Sequence, residues 1–125
     1  MPAEPKRKIL PAMFYRSAVG SEPVRNWLKT LSKDDKRIVG QDIATVEFGW
    51  PVGMPTCRSL TSRGGLWEVR SSLTGNRISR VLFFISAGKM ILLHAFIKKS
   101  HRARDDDLDL AVKRKKEFDR EKKAK

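Results

Sequence analysis

A chain of 125 residues, 40% of them hydrophobic, can bury one core and reads as a single domain over 1–125. No apolar run approaches the roughly 18 residues of a membrane span, and Lys6, Arg7 and Lys8 are followed by Pro11, Tyr15 and Arg16 rather than a secretory apolar region, so a soluble cytoplasmic protein is expected. The lone Cys57 excludes an intramolecular disulfide, His94 and His101 give no zinc spacing, and no metal or cofactor is expected; a formal net charge of +13 points instead to a polyanionic partner such as nucleic acid.

The stretch Ile9 to Tyr15 is apolar and rich in β-formers and predicts a first strand, with Pro11 restricting it to a sheet edge or a late start. Ser21 is a suitable N-cap, and Val24, Trp27, Leu28 and Leu31 recur at helical spacing on one face. Ser32 with Asp35 forms a variant of the capping box for a second helix, whose stripe of Val39, Ile43 and Val46 runs until Gly49. Two prolines and two glycines make Gly49 to Thr56 a loop. Three strands follow, Leu66 to Leu73, Arg77 to Ile85 and Lys89 to Ile97, with turns at Thr74-Gly75-Asn76 and Ser86-Ala87-Gly88. The last two are apolar almost throughout, as strands covered on both faces are. Finally Asp105, Asp106, Asp107 and Asp109 precede Lys113 to Lys116 along a stripe of Leu108, Ala111, Val112 and Phe118, a charge order that complements a helix dipole. The tail from Glu121 is expected to fray. The order predicts an α+β fold: a two-helix hairpin on a mostly antiparallel sheet of about four strands, plus a C-terminal helix, the helices gathered on one face.

Charge is concentrated in the middle. Residues 58–104 hold ten basic side chains, Arg58, Arg63, Arg70, Arg77, Arg80, Lys89, Lys98, Lys99, Arg102 and Arg104, against one acid, Glu68. They supply +9 of the +13. Strand alternation places Glu68, Arg70 and Ser72 on one face. Arg80 stands inside an otherwise apolar strand, either as an edge residue, or paired with Glu68, or aimed at a ligand. Lys98 and Lys99 emerge where the last strand ends, so four cations, Arg70, Arg80, Lys98 and Lys99, can line one concave region.

Such a cleft, without a carboxylate pair or a Ser-His-Asp or Cys-His set, suits phosphate chemistry rather than acyl or glycosyl transfer. RNA carries its own nucleophile, the 2′-hydroxyl, which needs only alignment, deprotonation and neutralisation of developing charge. A lysine among cations is favoured in its neutral form and can act as base, while arginine stays charged. No divalent metal is required.

The runs Trp50-Pro51-Val52-Gly53-Met54-Pro55, Leu66-Trp67-Glu68-Val69-Arg70, Arg80-Val81-Leu82-Phe83-Phe84 and Leu92-Leu93-His94-Ala95-Phe96-Ile97-Lys98-Lys99-Ser100 resemble the phage-derived branch of HigB toxins in the RelE/ParE superfamily, from about Phe14 to Phe118. The resemblance implies a RelE-like fold, a ribosome-dependent endoribonuclease acting on mRNA, and a HigA-like helix-turn-helix antitoxin as partner. It implies Arg70, Arg80, Lys98 and Lys99 as transition-state and phosphate contacts, the first three as catalytic candidates; Arg58, Arg63, Arg77 and Arg102, from the same basic stretch, are expected with Lys99 to contact nucleic acid. Relatives often place an aromatic or histidine near the cut; among His101, Phe96 and Phe118 only His101 can move a proton. The chain departs from the pattern at His101-Arg102-Ala103-Arg104, where a small residue and a proline are usual. His94 reads as a satisfied structural residue and Tyr15 as core or sheet edge. A ParE-like gyrase poison, a non-catalytic nucleic-acid-binding protein and a toxin that no longer cuts are the competing readings.

Overall fold

The computed structural model describes residues 7–60, 63–98 and 105–124. They form β1 (Ala12–Phe14), α1 (Pro23–Thr30), α2 (Lys33–Gly49), β2 (Cys57–Leu60), β3 (Leu66–Ser72), β4 (Ile78–Ser86), β5 (Lys89–Lys98) and α3 (Asp105–Ala124). The five strands make one mixed sheet in the order β1-β5-β4-β3-β2. β1 runs parallel to β5 and the other neighbours are antiparallel.

Local chemistry accounts for most of these elements. β1 is an edge strand that starts only after Pro11, as a residue without an amide donor requires. α1 begins one residue later than Ser21 would cap it: Glu22 takes the cap position and Pro23 opens the helix with its φ already set. In α2 the Ser32 hydroxyl accepts from the Asp35 amide at 3.2 Å, half of the expected capping box. The Asp35 carboxylate turns to Arg77 instead. Ala87 and Gly88, with φ of 51° and 75°, make the two-residue turn between β4 and β5, the geometry that follows the sheet's right-handed twist.

Three expectations are corrected. The sheet has a fifth strand, β2, whose four residues Cys57 to Leu60 are too short and too polar to show alternation; pairing with β3, from Cys57 with Val69 to Leu60 with Leu66, is what makes it a strand. The helices do not gather on one face. Val24, Val39, Ile43 and Val46 of α1 and α2 pack on Val69, Val81, Phe83 and Leu92, whereas Leu108 and Ala111 of α3 pack on Leu66, Leu82, Phe84, Ile91 and Leu93. β4 and β5 are apolar on both sides, and each side needs cover. Nor does the tail fray at Glu121: α3 continues to Ala124, with Phe118 edge-on to Phe84 at 5.5 Å and Lys122 Nζ donating to Ser86 Oγ at 3.2 Å.

The polar ties holding helices to sheet are specific. Under α3, the buried Tyr15 hydroxyl donates to Glu117, and burial first, then Glu117, pushes its pKa up to about 12. Arg114 donates to the Leu93 carbonyl at 2.9 Å, and His94 Nε2 lies 2.6 Å from Asp107. His94 is thus the satisfied residue its apolar strand suggested. On the opposite face Arg77 grips Asp35 with two bonds, of 2.8 and 3.0 Å, tying the start of α2 to the start of β4.

The Arg77 hydrogen bonds hold the Asp35 carboxyl below its ordinary value against the opposing effect of burial. A carboxylate depressed on folding adds stability above its unfolded pKa and loses that contribution as pH falls through the folded value. Acid unfolding of the wild type should therefore steepen below about pH 4. Asp35→Asn, compared by thermal melts across that range, should be less stable at pH 7 and show a flatter acid limb.

Candidate active site

Strict alternation along β5 would put Lys98 on the same side as Met90 and Leu92, under α1 and α2. The strand does not alternate strictly. Phe83 pairs with Leu92 but Leu82 pairs with His94, so Leu93 is the extra residue of a β-bulge. Beyond it the even-numbered residues change sides. His94, Phe96 and Lys98 now face with Leu82, Arg80 and Ile78, toward the α3 side. That one inserted residue delivers Lys98 to the face where Arg70 stands opposite Arg80 and Arg58 opposite Glu68.

Five charged side chains from four adjacent strands meet there. Glu68 is 1% exposed; its Oε1 lies 2.9 Å from Arg58 Nη2 and its Oε2 3.1 Å from Arg80 Nη1. Arg80 is 4% and Lys98 8% exposed, while Arg58 and Arg70 are half-buried. Four cations against one carboxylate leave the cluster strongly positive. Burial lowers the pKa of Lys98, Arg80, Arg70 and Arg58 lower it further, and Glu68 opposes them. Arg80 is also lowered by burial, with Glu68 opposing, but a guanidinium begins so high that it stays charged. The two groups divide accordingly: Lys98 gives up its proton more readily than a free lysine, and Arg80 keeps its charge.

Among the described residues the buried side-chain donors without a hydrogen-bond partner are Lys98 Nζ, Arg80 Nε and Arg58 Nε in this cluster, and Arg63 Nε, Ser71 Oγ and Ser79 Oγ outside it. Native proteins satisfy nearly all such groups, since each orphaned donor costs on the order of 1–3 kcal/mol. Three together, on cations, make a site that lacks its acceptor. An oxyanion such as a phosphodiester supplies the missing oxygens and offsets the charge.

The structure brings together Arg58, Arg70, Arg80 and Lys98 of the residues singled out from sequence. It does not bring in Arg77, whose guanidinium serves Asp35 on the opposite face. Nor does it bring in Arg63, which reaches Asp109 at 3.2 Å and Asp105 at 3.8 Å and fastens the first turns of α3. Lys99, His101 and Arg102 lie outside the described residues. Of the alternatives the sequence left for Arg80, the pairing with Glu68 is the one observed, and its buried Nε has no hydrogen-bond partner among the described residues. Reasoning from the sequence missed that Glu68 also holds Arg58. The available signal was its isolation, one acid among ten bases.

A model of the family described as "Phage derived protein Gp49-like (DUF891)" matches residues 26–116, from within α1 to within α3, with the cation cluster inside the match. The chain belongs to the Gp49-like family. Gp49-like proteins are a RelE/ParE-like toxin family, and a toxin of this kind implies an antitoxin partner. No match is found among curated proteins. Among the described residues of this Gp49-like protein no helix is long and apolar enough to cross a membrane.

Proposed function

We propose that this Gp49-like protein is the toxin of a type II toxin–antitoxin system, of the HigB kind, and that it is an endoribonuclease cutting messenger RNA on the ribosome in the cytoplasm. The observation that carries the reading is the set of unspent buried donors on Lys98, Arg80 and Arg58. Neutral Lys98 takes the proton of the 2′-hydroxyl, whose oxygen attacks the adjacent phosphorus. Arg80 and Arg70 neutralise charge on the phosphoryl oxygens as the bond to the 5′-oxygen breaks. His101 is the candidate donor of the proton that the leaving 5′-oxygen needs. The products are a 2′,3′-cyclic phosphate and a 5′-hydroxyl, and the chemistry calls on no divalent metal. Arg58 contacts the same phosphate, Lys99 and Arg102 contact flanking phosphates, and a HigA-like helix-turn-helix antitoxin neutralises the toxin.

Induced expression without the antitoxin should arrest growth and produce new in-frame message ends bearing 5′-hydroxyls, read by primer extension and end-specific ligation. Arrest with intact messages would instead favour a gyrase poison on the same fold. Absence of arrest would favour a non-catalytic nucleic-acid-binding protein or a toxin that no longer cuts.

A further inference from the structure

Glu68 is the one acidic residue between Arg58 and Arg104, and one of the most deeply buried side chains. Its oxygens are taken separately, Oε1 by Arg58 of β2 and Oε2 by Arg80 of β4, and at 1% exposure the carboxylate lies beneath the two guanidiniums rather than at the surface that substrate would meet. Stability alone does not account for it either. A buried carboxylate between guanidiniums is commonly matched or bettered by apolar side chains of similar volume. The same face of β3 and β4 is built that way nearby, where Leu66, Leu82 and Phe84 pack together.

A carboxylate does two things here that a leucine could not. It holds four mutually repelling cations in one place, and it fixes the direction in which two guanidiniums point. Each is anchored through one Nη atom, and the Nε groups of both remain buried and unspent, as does Lys98 Nζ. Resting on the ribonuclease reading above, we propose that Glu68 is a positioning residue, which clamps Arg58 and Arg80 from both neighbouring strands so that their Nε–H groups and Lys98 form a fixed cradle for the scissile phosphate of RNA.

The charged groups facing Lys98 among the described residues are Arg80 from β4, Glu68 and Arg70 from β3, and Arg58 from β2. Glu68 is the only one of them that favours the lysine's proton. Glu68→Gln keeps the shape and removes the charge, so two readouts should move together. In ribosome-programmed cleavage of a short message kcat should fall about a hundredfold, the scale of a misplaced reacting group, with KM within about threefold. The acid limb of the kcat profile, and the Lys98 side-chain titration followed by NMR in the free protein, should both shift to lower pH. Glu68→Asp, one methylene shorter, can hold one guanidinium and should lose about tenfold in kcat.

Wild-type kcat in Glu68→Gln, or a fall in kcat with the Lys98 titration unmoved, overturns the positioning role. If Glu68→Gln does not fold, Glu68→Asp decides, and wild-type kcat in that folded variant overturns it equally. A wild-type protein that cuts no RNA refutes the ribonuclease reading. The Lys98 titration still decides whether Glu68 governs the cluster.

Discussion

Lys98→Arg should lower message cleavage by a hundredfold or more while leaving the fold and RNA binding nearly intact. The substitution keeps the positive charge but raises the pKa beyond reach, so the site loses a base and not a cation. Wild-type kcat should rise with pH as Lys98 loses its proton, along a limb centred below the ordinary lysine value of 10.5, because burial and the three arginines favour the neutral amine. Lys98→Arg should lack that limb. The same residue makes a second, opposite forecast for stability. A lysine whose pKa is lowered on folding binds fewer protons in the native state, so folding stability should rise with pH between the folded and unfolded values. Lys98→Met, which removes a buried ammonium with no partner among the described residues, should melt higher than wild type at neutral pH, by on the order of 1–3 kcal/mol. Loss of activity with a gain in stability is the signature of a strained functional group. A Lys98→Met protein that both melts lower and still cuts would assign the lysine to structure.

Sequence patterns carried the architecture as far as local chemistry reaches. The Ser32 cap, the helical stripe of Val39, Ile43 and Val46, and the Ala87-Gly88 turn each depend on residues a few positions apart, and each lies where expected. What was not legible depends on pairing at a distance. β2 exists because β3 lies beside it. The placing of α3 opposite α1 and α2 follows from the two-sided demand of β4 and β5 rather than from any residue of α3. For the candidate site the decisive feature was the bulge at Leu93, since a one-residue insertion in a uniformly apolar run leaves no trace in composition or periodicity. Without it the spacing of Lys98 from the Arg80 face would have argued against convergence. Arg77 shows the converse. It has the composition of a phosphate contact, but its partner, Asp35, lies forty-two residues away in the chain.

Arg80→Ala should cost both activity and stability, and the two costs can be separated. Removing a donor that stabilises developing charge is expected to lower kcat by about a hundred- to a thousandfold. It also leaves the 1%-exposed carboxylate of Glu68 with Arg58 alone, and breaking a buried pair from one side costs about 3–5 kcal/mol. Part of that is returned, because Arg80 itself is buried and is crowded by the charges of Arg58 and Arg70. A lower melting temperature in Arg80→Ala would therefore not by itself reveal why cleavage fails. The double variant Arg80→Met with Glu68→Leu replaces the pair by apolar side chains of similar size and should recover most of the stability. It should recover none of the cleavage. The pH profile supplies the remaining discrimination. Arg80 is the largest charge acting on Lys98, so its loss in a folded Arg80→Ala should let the lysine keep its proton to higher pH. The residual activity should then climb along an acid limb shifted upward, opposite to the shift expected for Glu68→Gln. Opposite displacements from two variants that both lose kcat would tie the carboxylate, the guanidinium and the amine to one proton. Two unshifted profiles would mean that Lys98 is not the group that loses it.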